Sequence, residues 1–243
     1  MKRIYFIHIA KTGGISLEEN LLAATSMTPC PAYYWEDLLK LENLSEHNLF
    51  LGHLQYFCKD FIGDAFTFTI LRDPIERAMS GWEHIHRDPN HPARAHLEEA
   101  PDIRSALQHR RLRRHISNSM TWFLGPRPQY EKFKTKEAAI RHAIHDFPDE
   151  VMLDHAKEAL DQLDFIGFTE TLNSDTVRLF NILNLETRPE EELEVKNSNP
   201  TKTSKKYVEE LDQETIELLR EANEIDFKLY EYAQQLAGKK GWR

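Results

Sequence analysis

Residues 4–24 narrow most sharply what this chain can fold into. The run Lys2 to Ile9 is rich in β-branched and aromatic residues, as a strand requires. It passes straight into Ala10-Lys11-Thr12-Gly13-Gly14 and then a helical pattern over 15–24. A strand that turns through two glycines into a helix N-terminus belongs to an α/β sheet, and such a junction seats anions. Glycines let the backbone come close, the free N–H groups of the first helical turn point at the ligand, and the helix dipole favours negative charge. Lys11 adds a full positive charge beside them. A phosphate loop of the G-x-x-x-x-G-K-[ST] kind carries its lysine after the glycines, whereas Lys11 precedes them, which argues against a Mg²⁺-bound triphosphate. An ordinary glycine turn would look the same, so this piece alone leaves both readings open.

The alternation of strand and helix continues. Residues 48–52 read as a second strand and Ala65–Leu71 as a third, whose nearly unbroken apolar character suits burial on both faces of a parallel sheet. Pro74 fits the first turn of a helix over 75–86, where its missing N–H costs nothing. Helical patterns follow at 103–109, 117–124, 136–145 and 153–163, then a short fourth strand, Phe165–Phe168, and a helix over 174–185. The polar stretch 188–206 reads as a surface loop or lid. One long closing helix carries Ile216, Leu219, Ile225, Leu229, Tyr230, Ala233 and Leu236 at helical spacing, with Asp212 as its cap. With 243 residues, no repeat and no linker, the expectation is a single domain over 1–243. Its fold class is α/β, three layers α/β/α around a central, mainly parallel sheet.

Several function classes drop out. No apolar run approaches the roughly 20 residues that span a bilayer, and no signal peptide follows Met1, so a cytoplasmic protein without stable membrane association is expected. The two cysteines, Cys30 and Cys58, form neither a disulfide framework nor a zinc motif, in keeping with a reducing compartment, and no metal is implied. A net charge of −9 speaks against nucleic acid as a partner. Residues 103–141 nevertheless hold ten basic residues against two acids, Glu131 and Glu137. The run Arg110-Arg111-Leu112-Arg113-Arg114 within them suits an anionic acceptor or, as commonly, a solvated helix face.

A second strand-turn-helix junction, Ile70-Leu71-Arg72-Asp73-Pro74, repeats the anion chemistry. Arg72 stands at the carboxyl end of a parallel strand, where open α/β sheets bind ligands, and its planar fork matches a phosphate. Ser80 lies two turns along the helix and Arg77 between them; ion pairing of Arg72 with Asp73 or Glu76 is the plainer alternative. Together the two loops imply two separate phosphates.

The chain resembles 3'-phosphoadenosine-5'-phosphosulfate (PAPS) dependent sulfotransferases, in particular the heparan sulfate 2-O- and 6-O-sulfotransferase branch. Residues 6–16 resemble that family's 5'-phosphosulfate loop, and 70–74 with Arg77 and Ser80 its 3'-phosphate motif. Trp82 and His84 extend the match towards the 6-O type, and residues 165–170 and 226–230 resemble later segments. Ala10 stands where proline is usual, and residues 88–145 match poorly. The resemblance implies a P-loop-like sulfotransferase fold and sulfuryl transfer from PAPS to a hydroxyl, with a carbohydrate as the expected acceptor and 3'-phosphoadenosine-5'-phosphate (PAP) as product. The backbone of Lys11, Thr12, Gly13, Gly14, Ile15, Ser16 and Leu17, with the hydroxyls of Thr12 and Ser16, would hold the 5'-phosphate. Arg72 and Ser80 would hold the 3'-phosphate, and Lys11 would steady the leaving oxygen. His53 is the chosen base, because Gly52-His53 follows a strand end at the same sheet edge, with Glu83 or His84 in reserve. His8, inside the first strand, reads as core. Residues 118–123 offer an adenine slot and 201–205 a loop over the nucleotide. The competing readings are a kinase-like phosphoryl transferase and a catalytically silent nucleotide-binding protein.

Overall fold

The computed structural model describes residues 2–126, 147–186 and 204–243. The helix expected at 136–145 and residues 188–203 of the loop expected at 188–206 lie outside them. Four strands, β1 (Arg3–Ile7), β2 (Leu49–Phe50), β3 (Ala65–Leu71) and β4 (Phe165–Phe168), form one all-parallel sheet in the order β2-β1-β3-β4. The chain leaves β1 to one side for β2 and returns on the other for β3. The carboxyl ends of β1 and β3 therefore flank the point where strand order reverses, the ligand position of open α/β sheets.

Alternation along the strands sorts the core into two faces. Ile4 and Phe6 of β1 join Phe68, Ile70 and Phe165 against Leu17 and Leu21 of α1 (Gly14–Ala24) and Leu179 and Phe180 near the end of a helix over Leu172–Leu183. Tyr5 and Ile7 face the other way, towards helices Ser119–Leu124, Asp149–Asp161 and Glu224–Lys239. A third cluster joins α2 (Pro74–Arg87) to helices Ile103–Gln108, Arg110–Ile116 and Gln213–Ala222. Among the described residues no helix is long and apolar enough to cross a membrane.

Three expectations need correction. Residues 110–116 form a helix of their own, with the His109 side chain capping it; its five charged or titratable residues hide an apolar stripe reduced to Leu112 and Ile116. The closing helix is two helices broken at Asn223. There the backbone leaves helical geometry, and the side chain binds Asn118 N–H and the carbonyls of Ile116 and Leu219. Asp212 does cap the first of them, through Thr215 N–H. Residues 204–206 begin a short helix, Ser204–Glu209, rather than extending a loop.

Candidate active site

The end of β1 is a tight turn centred on His8, closed by Ile9 N–H on Ile7 O at 3.1 Å. The buried His8 ring stacks on Phe6 and holds Glu18 at 2.7 Å through Nδ1. Its Nε2 lies 2.1 Å from where a Cβ on Gly14 would stand, so Gly14 is a glycine because His8 fills that space. Lys11 and Gly13 both take left-handed backbone, at φ 73° and 85°. That conformation is costly for the non-glycine Lys11, whose carbonyl is held by Arg72 Nη1 at 3.1 Å. Gly13 leads into α1 with no side chain capping its N–H groups and no acid in the first turn.

Not every predicted donor is available. The Thr12 side chain is fully buried and its hydroxyl donates to Ile9 O at 2.9 Å, so it braces the loop instead of facing an anion. Leu17 packs its side chain in the core and Ile15 exposes its own, which leaves only their backbone N–H groups. Ser16 is buried, with its carbonyl accepting from Asn20.

Arg72 sits one residue beyond β3 and bonds Glu76 at 3.2 Å as well as Lys11 O, tying the two loops directly together. Asp73 caps α2 by accepting from Ile75 and Glu76 N–H, and gives its own N–H to Glu170 at 2.7 Å. Tyr230 OH holds the other Glu170 oxygen at 2.9 Å. The Thr169 hydroxyl lies 2.7 Å from Thr12 O and 3.1 Å from Leu71 O, joining the ends of β1, β3 and β4. Sequence reading noticed the segments containing Thr169, Glu170 and Tyr230 without assigning them this work; polar residues one or two positions past a strand end are the signal. Ser80 is half-buried on α2. Arg77 is buried completely. Its Nη1 reaches His115 O, while its Nε and Nη2 find no acceptor among the described residues.

His53 occupies the centre of a second tight turn, Leu54 N–H to Gly52 O at 2.6 Å, just past β2. Tyr5 OH anchors the turn to β1 at Leu54 O, 3.1 Å away. His53 Nδ1 lies 2.7 Å from His8 O. A carbonyl only accepts, so Nδ1 carries the proton and Nε2 keeps its lone pair. Burial, His8, Lys11 and His84 push His53 down to about 3, so it is neutral at physiological pH. Burial, and then the cations Arg87, Arg72 and Arg77, lower Lys11 to about 8, which leaves it charged at pH 7.

His84 is half-buried and is lowered to about 4 by burial, Lys11 and His91. It meets His91 at 5.3 Å between ring centroids, and His91 meets His115 at 5.0 Å. Of the basic run, Arg110, Arg111 and Arg113 are exposed, while Arg114 lies against His115 and depresses both His115 and His91. Arg104 is taken up by Asp212 and Glu214. The adenine slot is largely filled: Met120 and Phe123 are core, and Thr121 binds the fully buried Asp226. Of the proposed nucleotide loop, 201–203 lie outside the described residues. His96, Glu99 and His109 gather at metal-ligand separations elsewhere. His109 Nδ1, however, accepts Leu112 N–H, which puts the proton on Nε2 facing Glu99, so this is a hydrogen-bonded clasp.

Two strand-end loops are thus bonded to each other at the sheet's switch point, with a lysine and a neutral histidine beside them. Among protein families, the Sulfotransferase family matches residues 1–233. The chain belongs to the sulfotransferase family. No curated protein matches it. Membership assigns it to sulfuryl transfer, and the all-parallel four-stranded sheet flanked by helices is the α/β architecture expected of a sulfotransferase.

Proposed function

We propose that this sulfotransferase uses PAPS as donor and a hydroxyl of an acidic carbohydrate as acceptor, releasing PAP. The bond from Arg72 to the Lys11 carbonyl carries the reading, because it ties together the two strand-end loops to which the anions are assigned. A nucleotide phosphorylated on both sides of its ribose suits that pair, whereas ATP and AMP carry phosphate on one side only. On this reading the N–H groups of residues 13–17 and the Lys11 ammonium hold the 5' side, and Arg72 with Ser80 the 3'-phosphate. The donor supplies the sulfuryl group. Lys11 places positive charge where negative charge develops on the departing oxygen, and His53 Nε2 takes the acceptor's proton. Arg87, whose field reaches Lys11 and His84, and Arg114 beside His91 favour an acceptor with its own negative charge. The free thiols of Cys30 and Cys58 accord with a cytoplasmic setting.

Calorimetric titration with PAP, ATP and AMP, with and without Mg²⁺, tests the donor assignment. Metal-independent binding that needs the 3'-phosphate and weakens in Arg72→Ala is expected. Preference for ATP with Mg²⁺ would replace this reading by a kinase-like one.

A further inference from the structure

Tyr33 and Tyr34 stand out because, at 47% and 53% exposure, they are the two exposed Phe, Tyr or Trp side chains among the described residues, the others being buried or partly buried. Both belong to the base. Tyr33 meets the His53 ring edge-on at 5.0 Å, Tyr34 lies nearly parallel to it at 6.3 Å, and the two phenols meet each other at 4.9 Å. Tyr34 also pairs with His53 in a parallel bridge between backbones. Gly52 permits that approach: a Cβ there would fall 2.6 Å from the carbonyl oxygens of both Ala32 and Tyr33. The close backbone contact therefore fixes an open aromatic surface at the edge of the proton-accepting imidazole.

We propose that Tyr33 and Tyr34 form the acceptor subsite, a platform that receives the apolar face of a sugar ring and presents one of its hydroxyls to His53. This rests on the sulfotransferase reading above, with His53 as base. A pyranose has a C–H face for stacking and a rim of hydroxyls for the polar groups around it, which matches rings that are about half exposed and whose phenol oxygens make no hydrogen bond among the described residues. Charge sets the direction of the bound ring. Glu18 acts on Tyr33, and Glu36 and Asp37 act on Tyr34, so both phenols titrate above the usual range, with burial the larger cause. An anionic substituent on the acceptor is repelled from that side and drawn towards Arg87 and Arg114.

The test uses methyl β-D-glucopyranoside and methyl β-D-glucuronide as probes, with PAP saturating. Saturation-transfer NMR, irradiating protein aromatic protons, should show transfer to the ring protons of both probes. The Tyr33→Leu/Tyr34→Leu variant should cut the transfer about fivefold or more, and Tyr33→Phe/Tyr34→Phe should keep it. Calorimetric PAP affinity should be the same in all, and the single Tyr34→Leu variant replaces the double one if that affinity falls with misfolding. No transfer in the wild type, or undiminished transfer in the leucine variants, overturns the subsite. Failure of the wild type to bind PAP overturns the donor assignment instead, so the two ideas fail separately.

Discussion

The two halves of the site are built differently. On the donor half, the polar groups are committed to one another: Arg72 to Lys11 and Glu76, Asp73 to its helix and Glu170, Glu170 to Tyr230, Thr169 to Thr12 and Leu71. On the half proposed to receive the acceptor, Tyr33 and Tyr34 meet His53, and His84 meets His91, through ring contacts. A cross-braced loop holds one fixed charge pattern, as recognition of a common donor requires. An aromatic wall with few directional bonds admits variation in what is sulfated. The contrast locates rigidity in the part that handles the shared chemistry.

Substitutions that act on one half alone sharpen the contrast. His53→Ala should have the largest effect, lowering kcat by about 10²–10⁴ while PAP affinity measured by calorimetry holds. Lys11→Ala should lower kcat by about 10²–10³ with the circular-dichroism spectrum and melting temperature kept. Near-normal turnover in either would remove that residue from the chemistry. Arg72→Ala should weaken PAP about ten- to a hundredfold, since it loses charge-assisted hydrogen bonds and frees Lys11 from its brace.

A smaller effect appears in the pH profile. Lys11 must be protonated and its pKa is about 8, so kcat/KM should fall as pH rises through that value. His53, at about 3, is neutral throughout the range above, so no acidic limb should appear near pH 6. Bound phosphates favour the charged lysine, which places the alkaline limb of kcat above that of kcat/KM. Arg87→Ala removes a repelling cation and should move the limb further up. Smallest of all, Arg114→Glu should raise acceptor KM several-fold, whereas Arg110→Glu with Arg113→Glu should leave it nearly unchanged, because those two side chains are exposed. Equal responses would erase the distinction between the cleft side and the solvent side of that helix.

Much of this was legible in advance where local chemistry dictates structure. Ala65–Leu71 and Phe165–Phe168 stand where their apolar runs place them, and Pro74 opens its helix with Asp73 as cap. The glycine turn into the first helix was readable because Gly13 and Gly14 act through their own backbone, one by its left-handed conformation and the other by the space it leaves for His8. What escaped depended on distant partners. Thr12 looks like an anion donor until Ile9 O takes its hydroxyl, and Asn223 looks like a mid-helix residue until the turn at 116–118 claims it. The ring contacts of Tyr33 and Tyr34 with His53 bring together segments about twenty positions apart, a juxtaposition no periodicity announces.

The paired turns at His8 and His53 have a mechanical consequence. Each closes a strand end, β1 and β2 are hydrogen-bonded neighbours, and the proton on His53 rests on the carbonyl of His8, five residues before Gly13. The sheet therefore acts as a ruler between the proposed base and the proposed donor loop. Motion of the outer helices can regulate how an acceptor enters or a product departs, while the spacing between the proton acceptor and the anion seat stays set by a single pair of β-strands.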